Sequence, residues 1–524
     1  MKQRISVLII FAFLFPIFRL FAQQAPVPKY ASKVQKAIVQ LNTFDKEGNL
    51  LHTGTAFYVG ENGEALADYA LMKDAYKATV TDQSGKTADV DCIKGADDTY
   101  SMVRFLVNTK GNAVLSVSAT AIPQGGVVFA LPFTQQKSKV CASGRVQETS
   151  PIKDQYSYYT LSADLGTAAV GAPVFNESGE LVGILQSAVG GKSYVMDIRY
   201  CDELKISAFM PNSTMMALNG INITKGLPDT KEEALVYTYF KSQSASNEEY
   251  GELIDRFIRT YPDNAEGYYR RATLRADLRQ YDEAEADLQQ YESLSENKAA
   301  ANVYASTLRA QILSVKGETN EALAIYDRLC ADGHQSPGIL YAISALRETR
   351  GDSLAEILAP LDTAIASFGT PLPREAANYV MRRGQVLANH GKYREAVLDY
   401  NQYAYLVNSK VNARFYYERS QIEINAHMYQ QAYDDIISAV TAAPDNVAYR
   451  VEKAVICLRV NHIDECIEAC QSALALDPDQ PDAYRIMGYA QIQKGDKAAA
   501  RQSLQRAIDL GDENAKTLMD TYLK

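Results

Sequence analysis

Short apolar runs alternate with polar turn sequences over about residues 33–206. The runs lie at residues 37–41, 54–59, 126–131 and 181–185, and the turns between them include residues 45–49, 60–63 and 176–179. Runs of this length, rich in β-branched residues and bounded by Gly, Asn and Asp, are typical of β-strands. The pattern therefore predicts an all-β domain in the first part of the chain.

The periodicity changes after Glu203. Residues 212–218 can form a short helix, residues 226–228 interrupt it, and residues 229–232 provide a capping-box start for a new helix. From there to residue 524 the apolar positions recur with helical spacing. The chain is thus expected to pass from an all-β region into an all-α region.

The helical region repeats itself. Small residues and prolines recur at an interval of 34 residues, in the sets Ala432, Cys466 and Ala500, then Ala439, Ala473 and Ala507, then Pro444 and Pro478. Small side chains at a fixed interval let neighbouring helix axes approach closely. The pattern resembles the tetratricopeptide repeat, which implies stacked helix pairs. We expect about seven or eight units, degenerate at residues 234–261 and 337–368, with a capping helix at residues 514–524.

Segments of the β region follow one another in the order of a known enzyme family. Residues 54–71, 98–105 and 168–184 resemble, in that order, the histidine, aspartate and nucleophile segments of trypsin-like serine proteases of the bacterial Deg type. The resemblance covers about residues 34–204. It implies an N-terminal trypsin-like double β-barrel, which precedes an all-α tetratricopeptide-repeat superhelix in a multidomain chain.

The resemblance also locates the catalytic triad, whose positions are occupied by Ala70, Thr99 and Val170. Alanine cannot act as a general base, and valine has no group that a base could activate as a nucleophile. A slip of one or two residues would place Asp97 or Asp98 at the aspartate position, but with no histidine to orient. The sequence predicts a pseudoprotease without catalytic residues.

The nucleophile loop has also lost glycines, because Ala168 and Ala172 stand where the family has glycine. An oxyanion hole needs backbone N–H groups turned toward the substrate, in a shape that glycine permits and alanine disfavours. Ser162 and Ser178 lie near this loop with no histidine or lysine adjacent in sequence. We therefore expect no replacement nucleophile there.

Histidines and cysteines do not form a metal-ligand pattern. The histidines are His52, His334, His390, His427 and His462, and the cysteines are Cys92, Cys141, Cys201, Cys330, Cys457, Cys466 and Cys470. Their spacing does not match a zinc site, and an odd number of scattered cysteines does not indicate a disulfide framework. Cys466 and Cys470 are expected on a packed helix face. The sequence predicts neither a metal nor a cofactor.

The chain begins with a basic start, an apolar run to Phe18 and a small residue at Ala22. This is typical of a secretory signal peptide, and an uncleaved membrane anchor is the alternative, although the run is short for a span. We expect export to the periplasm or outside of a bacterium. The predicted divisions are 1–22 signal peptide, 23–33 linker, 34–205 protease-like domain, 206–228 short helix and linker, and 229–524 repeats.

Charge narrows the choice of partner. Removal of Lys2, Arg4 and Arg19 with the signal peptide makes the formal net charge of -10 more negative still. An acidic chain without a basic stripe does not indicate binding to nucleic acid or stable insertion into a membrane. Protein or peptide partners remain as the expectation.

The repeat pattern predicts which side chains face a concave binding surface: Tyr269, Met381, Arg414, Tyr417, Gln421, Arg485 and Tyr489. Tyrosine, arginine and amide groups suit peptide recognition. The sequence hypothesis is an exported, non-catalytic scaffold that binds a protein or peptide. The alternatives are an active trypsin-like endopeptidase with partner-binding repeats and a structural component of an envelope assembly.

Overall fold

The computed structural model describes residues 26–135 and 140–523. The predicted signal peptide, residues 1–22, lies outside the described residues. The chain divides into two compact units, one up to Ser295 and one from Glu296 onward. The first unit contains the β region together with the first helix pairs, and the second contains the remaining helices.

The first β-barrel follows two short helices, α1 (Ala31–Val34) and the 3₁₀ helix Gln35–Ala37. Its strands are β1 (Ile38–Phe44), β2 (Leu50–Tyr58), β3 (Glu64–Ala67), β4 (Lys77–Thr81), β5 (Thr87–Asp97) and β6 (Met102–Val107), with α2 (Tyr69–Met72) after β3. They close antiparallel in the order β1-β2-β3-β6-β5-β4. Leu41, Phe57 and Phe105 fill the interior with no exposed surface.

The second barrel has the same number of strands. They are β7 (Val127–Ala130), β8 (Ala142–Ile152), β9 (Tyr156–Leu161), β10 (Pro173–Phe175), β11 (Leu181–Val189) and β12 (Lys192–Asp197). The closed order is β10-β11-β12-β9-β8-β7. Leu161, Val174 and Leu185 form its core, and the buried Tyr159 hydroxyl accepts the Ile122 N–H at 3.1 Å. The two barrels confirm the predicted trypsin-like double barrel.

Helices follow the 3₁₀ helix Ile198–Glu203. In the first unit they are α3 (Asn212–Asn219), α4 (Lys231–Ser242), α5 (Asn247–Thr260), α6 (Ala265–Asp277) and α7 (Tyr281–Leu294). Two ion pairs tie this part of the chain to the first barrel. Lys94 Nζ donates at 2.7 Å to Asp229, two residues before α4, and Arg256 on α5 pairs with Asp91. The predicted division between residues 228 and 229 remains a prediction, and the compact units separate after Ser295.

The second unit consists of helices throughout its described part. They are α8 (Lys298–Lys316), α9 (Thr319–Ala331), α10 (Pro337–Arg350), α11 (Leu354–Ser367), α12 (Ala377–Asn389), α13 (Tyr393–Leu406), α14 (Ala413–Asn425), α15 (Tyr429–Ala442), α16 (Val447–Arg459), α17 (Ile463–Leu476), α18 (Pro481–Lys494), α19 (Lys497–Asp509) and α20 (Glu513–Tyr522). A 3₁₀ helix, Arg374–Ala376, precedes α12. The described residues of both units together contain eight helix pairs, α4–α5 through α18–α19, with α20 after the last.

The small residues at the 34-residue interval lie where helices cross. Ala432, Cys466 and Ala500 have no exposed surface, and neither do Ala439, Ala473 and Ala507. At Gly488 a Cβ would come within 2.7 Å of Leu504 Cγ. This close approach is the physical reason for the repeat period, because a larger side chain would push the paired helices apart.

The described residues contain no helix that is both long and apolar enough to cross a membrane. All seven cysteines, which lie within the described residues, are free thiols, and Cys466 and Cys470 are fully buried on α17.

Candidate functional site

The short helix α2 begins at a buried carboxylate. Asp68 directly follows β3 and caps the helix, since its Oδ1 accepts the Ala70 N–H at 2.9 Å. The same oxygen accepts the Ser101 hydroxyl at 3.1 Å. Asp68 is 4% exposed, and burial raises the pKa of its carboxyl despite these two hydrogen bonds. The methyl group of Ala70 is exposed beside it and offers no proton acceptor.

The loop from Gly166 to Ala172 packs on this carboxylate. It contains the 3₁₀ helix Thr167–Ala169, and Gly171 has a φ of +77°, which a residue with a Cβ rarely adopts. A Cβ at Gly171 would lie 3.3 Å from Asp68 Cβ. The structure therefore brings the loop containing Val170 against the segment containing Ala70, as the sequence resemblance implies.

The N–H groups of this loop are engaged within the protein. Ala169 N–H donates to Gly166 at 3.1 Å, Val170 N–H to Thr167 at 3.2 Å and Gly171 N–H to Leu185 at 2.8 Å, in each case to the carbonyl oxygen. A donor held in this way is not directed at a substrate carbonyl. The Val170 isopropyl group, at the position of the family's nucleophile, is half-buried and carries no polar atom.

Thr99 lies at an exposed turn before β6. Its N–H donates to Asp97 Oδ1 at 2.9 Å, and Asp97 Oδ2 accepts the Tyr200 hydroxyl at 2.6 Å. The residue that contacts Asp68 is Ser101, directly before the strand. Sequence reasoning missed Ser101, because its contact with Asp68 joins residues 33 positions apart and no local pattern marks it.

A hydrogen-bonded glutamine joins the second barrel to this turn. Gln186 on β11 is 8% exposed, donates to the Tyr100 carbonyl oxygen and accepts the Tyr158 hydroxyl at 2.7 Å. The Tyr100 ring contacts the Tyr200 ring edge-on at 5.0 Å. These contacts fix the turn after β5 to the second barrel, which keeps Ser101 and Asp68 in place.

A groove crosses the second unit along α10, α12 and α14. It consists of two cavities of about 530 and 350 Å³ that share Arg382 and Gln385. Aromatic rings and carboxamides dominate its walls, which include Tyr341, Asn378, Tyr379, Met381, Tyr400, Tyr403, Tyr417 and Gln421. Clefts of this size lined by aromatic and amide groups suit peptide-sized ligands.

The structure assembles three of the seven predicted binding residues in this groove: Met381, Tyr417 and Gln421. The others have neighbours elsewhere. Tyr269 lies in the first unit 5.0 Å from the Tyr291 ring, Arg414 pairs with Glu418 at 2.6 Å, Arg485 pairs with Asp512 at 2.7 Å, and Tyr489 lies 6.2 Å from the Tyr522 ring. Arg414 and Arg485 are thus engaged by carboxylates of the protein itself.

Sequence reasoning missed Tyr341, Arg382 and Gln385. Gln385 follows Met381 by four positions and Arg382 by three, so the helical spacing could have placed it beside both residues. Tyr341 lies in a unit whose repeat pattern is degenerate, and no sequence signal marks it.

Two buried donors occur in the groove. Arg382 Nη2 donates to Glu348, and its guanidinium lies 5.9 Å from the Tyr341 ring. Arg382 Nε and Gln421 Nε2 are buried without a hydrogen-bond partner among the described residues. Buried donors are rarely left unsatisfied, so an acceptor such as a peptide carbonyl oxygen or water is expected at each.

No group of three or more His, Cys, Asp or Glu side chains in the described ranges could hold a metal ion.

Comparison with known families agrees with the geometry. Residues 54–184 match the trypsin-like peptidase domain, and residues 458–515 match the tetratricopeptide repeat. The protein therefore combines a trypsin-like peptidase domain with a helical region containing tetratricopeptide repeats, as the sequence predicts. Tetratricopeptide repeats imply protein–protein interaction.

Two curated proteins are similar over short segments. The anti-sigma-I factor RsgI9 of Acetivibrio thermocellus is 24% identical over 164 residues, which are 30% of this chain and 23% of that protein. Small glutamine-rich tetratricopeptide repeat-containing protein 2 of Saccharomyces cerevisiae is 23% identical over 91 residues, 17% of this chain and 26% of that protein. The chain spans about a quarter of the length of each relative.

Proposed function

We propose that this chain is an exported scaffold that binds a protein or peptide through its tetratricopeptide repeats, while its protease-like barrels have no hydrolytic activity. The observation that carries the proposal is the groove along α10, α12 and α14. Its aromatic walls provide apolar contact, and Arg382 Nε and Gln421 Nε2 are donors without partners among the described residues. An extended peptide offers both apolar side chains and carbonyl acceptors.

Three features support the absence of hydrolysis. The side chain at position 170 has no nucleophilic atom, and the side chain at position 70 has no basic atom. The Val170 N–H donates to Thr167 rather than toward the cleft. Together they remove the nucleophile, its base and one oxyanion donor.

Export is inferred from the sequence, because residues 1–22 have the basic, apolar and small-residue order of a signal peptide. The proposal places the mature protein in the periplasm or outside a bacterial cell.

The cleft of the barrels is a second surface for a peptide. Leu185 on β11 uses its N–H and C=O to bond Ala172 and Gly171. The strand continues to Val189, and Ser187 beyond this contact is exposed. An extended chain can add to such an edge through backbone hydrogen bonds, which do not depend on a triad.

The groove is tested by crosslinking in the full chain. A photo-crosslinking amino acid replaces Gln385, between the two cavities, and the protein is irradiated in an envelope extract of its own host. We expect one adduct of discrete mass. Met381→Ala or Tyr417→Ala should lower its yield about fivefold, which corresponds to roughly 1 kcal/mol of binding free energy.

Tyr405→Ala is the matched control, because Tyr405 is 75% exposed on α13 and is not among the groove residues. The adduct yield of Tyr405→Ala should equal that of the protein without this substitution. Equal yields for Tyr417→Ala and Tyr405→Ala, or adducts without a discrete mass, would contradict binding in this groove.

The second candidate is an active serine endopeptidase with partner-binding repeats. The match of residues 54–184 to the trypsin-like peptidase domain favours it. It requires a serine outside position 170 to act as the nucleophile, and covalent labelling of a specific serine distinguishes it from the scaffold.

A further inference from the structure

A cavity of about 320 Å³ lies in the first unit, between α4 and α5 and the segment that follows α3. Two lysines and two glutamates line it: Lys225, Lys241, Glu249 and Glu252. Its volume is at the lower end of the range for small-molecule sites. None of its lining residues belongs to the protease-like centre or to the groove of the second unit.

Lys225 is held rigidly at the wall of this cavity. Its backbone extends the first barrel, because Ile93 N–H donates to the Thr224 carbonyl at 2.9 Å and Gly226 N–H donates to the Ile93 carbonyl at 2.8 Å. Lys225 Nζ donates to the carbonyl oxygens of Ile223, at 2.8 Å, and Ile221. A lysine ammonium has three N–H donors, so one position on this nitrogen remains for a ligand.

Lys241 on α4 brings a second positive charge. Its ammonium lies 5.7 Å from the centre of the Tyr237 ring and has no hydrogen bond or ion pair to any residue in the described ranges. Burial of Lys225, and then the charge of Lys241, lower the pKa of Lys225 to about 8. Two amines therefore share one cavity and repel each other when both are charged.

The two carboxylates lie on α5 and have other contacts. Glu249 Oε2 accepts the Ser246 N–H at 3.1 Å in the capping box that begins the helix. Glu252 Oε2 accepts the Thr224 hydroxyl at 3.5 Å. The side of the cavity formed by these glutamates therefore favours a ligand group that donates hydrogen bonds. The side formed by Lys225 and Lys241 favours a ligand group that accepts them.

We propose that this cavity binds the oxyanion, a carboxylate or a phosphate, of a small polar ligand between the amines of Lys225 and Lys241. The oxyanion accepts from both nitrogens and relieves their repulsion. Hydroxyl or amine groups of the same ligand donate to Glu249 and Glu252. Lys225 Nζ offers this oxyanion the one N–H of its ammonium that no carbonyl oxygen holds.

Pyridoxal 5′-phosphate is a suitable probe, because it carries a phosphate and an aldehyde on one small ring. Lys225 Nζ attacks the aldehyde carbon, a C=N bond forms and the aldehyde oxygen leaves as water. Borohydride then adds hydride to the C=N bond and leaves a stable secondary amine. Peptide mass spectrometry of the full chain locates the label.

At pH 7.5 and a limiting amount of probe, Lys225 should be labelled about tenfold more than the exposed Lys231, a preference equivalent to roughly 1.4 kcal/mol. Lys241→Gln should abolish this preference. Lys231→Gln is the matched control, since it removes the same charge at the start of the same helix, and it should leave Lys225 labelling unchanged.

Binding is separated from mere reactivity by acetylation with acetic anhydride, a neutral reagent, in the presence of inorganic phosphate or acetate. Protection of Lys225 but not Lys231 by phosphate alone assigns a phosphate group to the ligand. Protection by acetate alone assigns a carboxylate, and protection by both anions supports a site that accepts either oxyanion. The proposal is overturned if neither anion protects Lys225, or if pyridoxal phosphate labels Lys225 and Lys231 equally.

Discussion

Arg383 on α12 and Asp399 on α13 form a two-pronged ion pair, with Nε–Oδ2 and Nη2–Oδ1 distances of 2.8 and 2.7 Å. The same spacing of 16 residues joins Arg271 to Asp287 and Arg419 to Asp435. In each case the guanidinium also reaches the helix pair before its own, at Asp362 for Arg383. The pair therefore fastens the two helices of one repeat and connects them to the preceding repeat.

Arg383→Ala should lower the free energy of unfolding of the helical region by about 2–3 kcal/mol, because Asp399 would remain buried without its partner. The measurement is urea unfolding followed by helical circular dichroism, with the shift of the midpoint as the readout. Arg394→Ala, which replaces an exposed arginine on α13, is the control and should change the free energy of unfolding by less than about 0.5 kcal/mol. Equal shifts would show that the ion pair contributes nothing beyond a surface arginine.

Glu423 on α14 predicts a dependence of stability on pH. Burial, followed by the charge of Asp435, raises the pKa of Glu423 to about 8, although Arg419 lowers it in part; Asp434 adds to the rise. The folded state then binds a proton that the unfolded state has released between about pH 4.5 and pH 8. Stability should fall as pH rises through this window and level off above it.

Glu423→Gln should flatten that decline and stabilise the protein at pH 8 by on the order of 2 kcal/mol, since the neutral amide needs no proton. Thermal unfolding at pH 5, 6, 7 and 8 measures the effect. Glu468→Gln on α17, an exposed glutamate, should retain the pH dependence of the parent. A Glu423→Gln protein with the parental slope would refute the assignment.

Gly488 tests the close packing of α18 on α19. Gly488→Val should destabilise the protein by about 1–3 kcal/mol, because the new Cβ would meet Leu504 Cγ at 2.7 Å. Gly338→Val is the matched control, since a Cβ there has no atom within 4 Å. Calorimetry should show a lower transition temperature for Gly488→Val alone. Similar temperatures for both variants would mean that the helices separate without cost.

Restoring two of the three missing triad side chains should not restore a protease. The double variant Ala70→His, Val170→Ser would regain a base and a nucleophile, but its residue-170 N–H would still donate to Thr167. Loss of one oxyanion donor alone costs about 10²–10³ in kcat. Ester hydrolysis by the double variant should therefore be at least about 10²-fold slower than that of an intact serine protease, and turnover at a rate typical of intact serine proteases would show that the loop reshapes.

The sequence predicted most of the fold and part of the site, for reasons visible at particular residues. Small residues such as Ala432, Cys466 and Ala500 are fully buried where helices cross. Because the crossings recur once per repeat, these residues recur in the sequence at a fixed interval and could be recognised there. The contact of Ser101 with Asp68 depends on residues 33 positions apart in different turns, and nothing local encodes it. Tertiary packing likewise places Tyr341, from a degenerate repeat unit, in the groove wall and brings Lys225 and Lys241 to one cavity.

The most direct test of the central claim, that this protein binds without hydrolysing, is labelling of the purified mature chain with a fluorophosphonate serine-hydrolase probe, with casein cleavage measured in parallel. The account predicts labelling no greater than that of the heat-denatured protein and intact casein. Labelling or cleavage that disappears when one particular serine, such as Ser162 or Ser178, is replaced by alanine would contradict it.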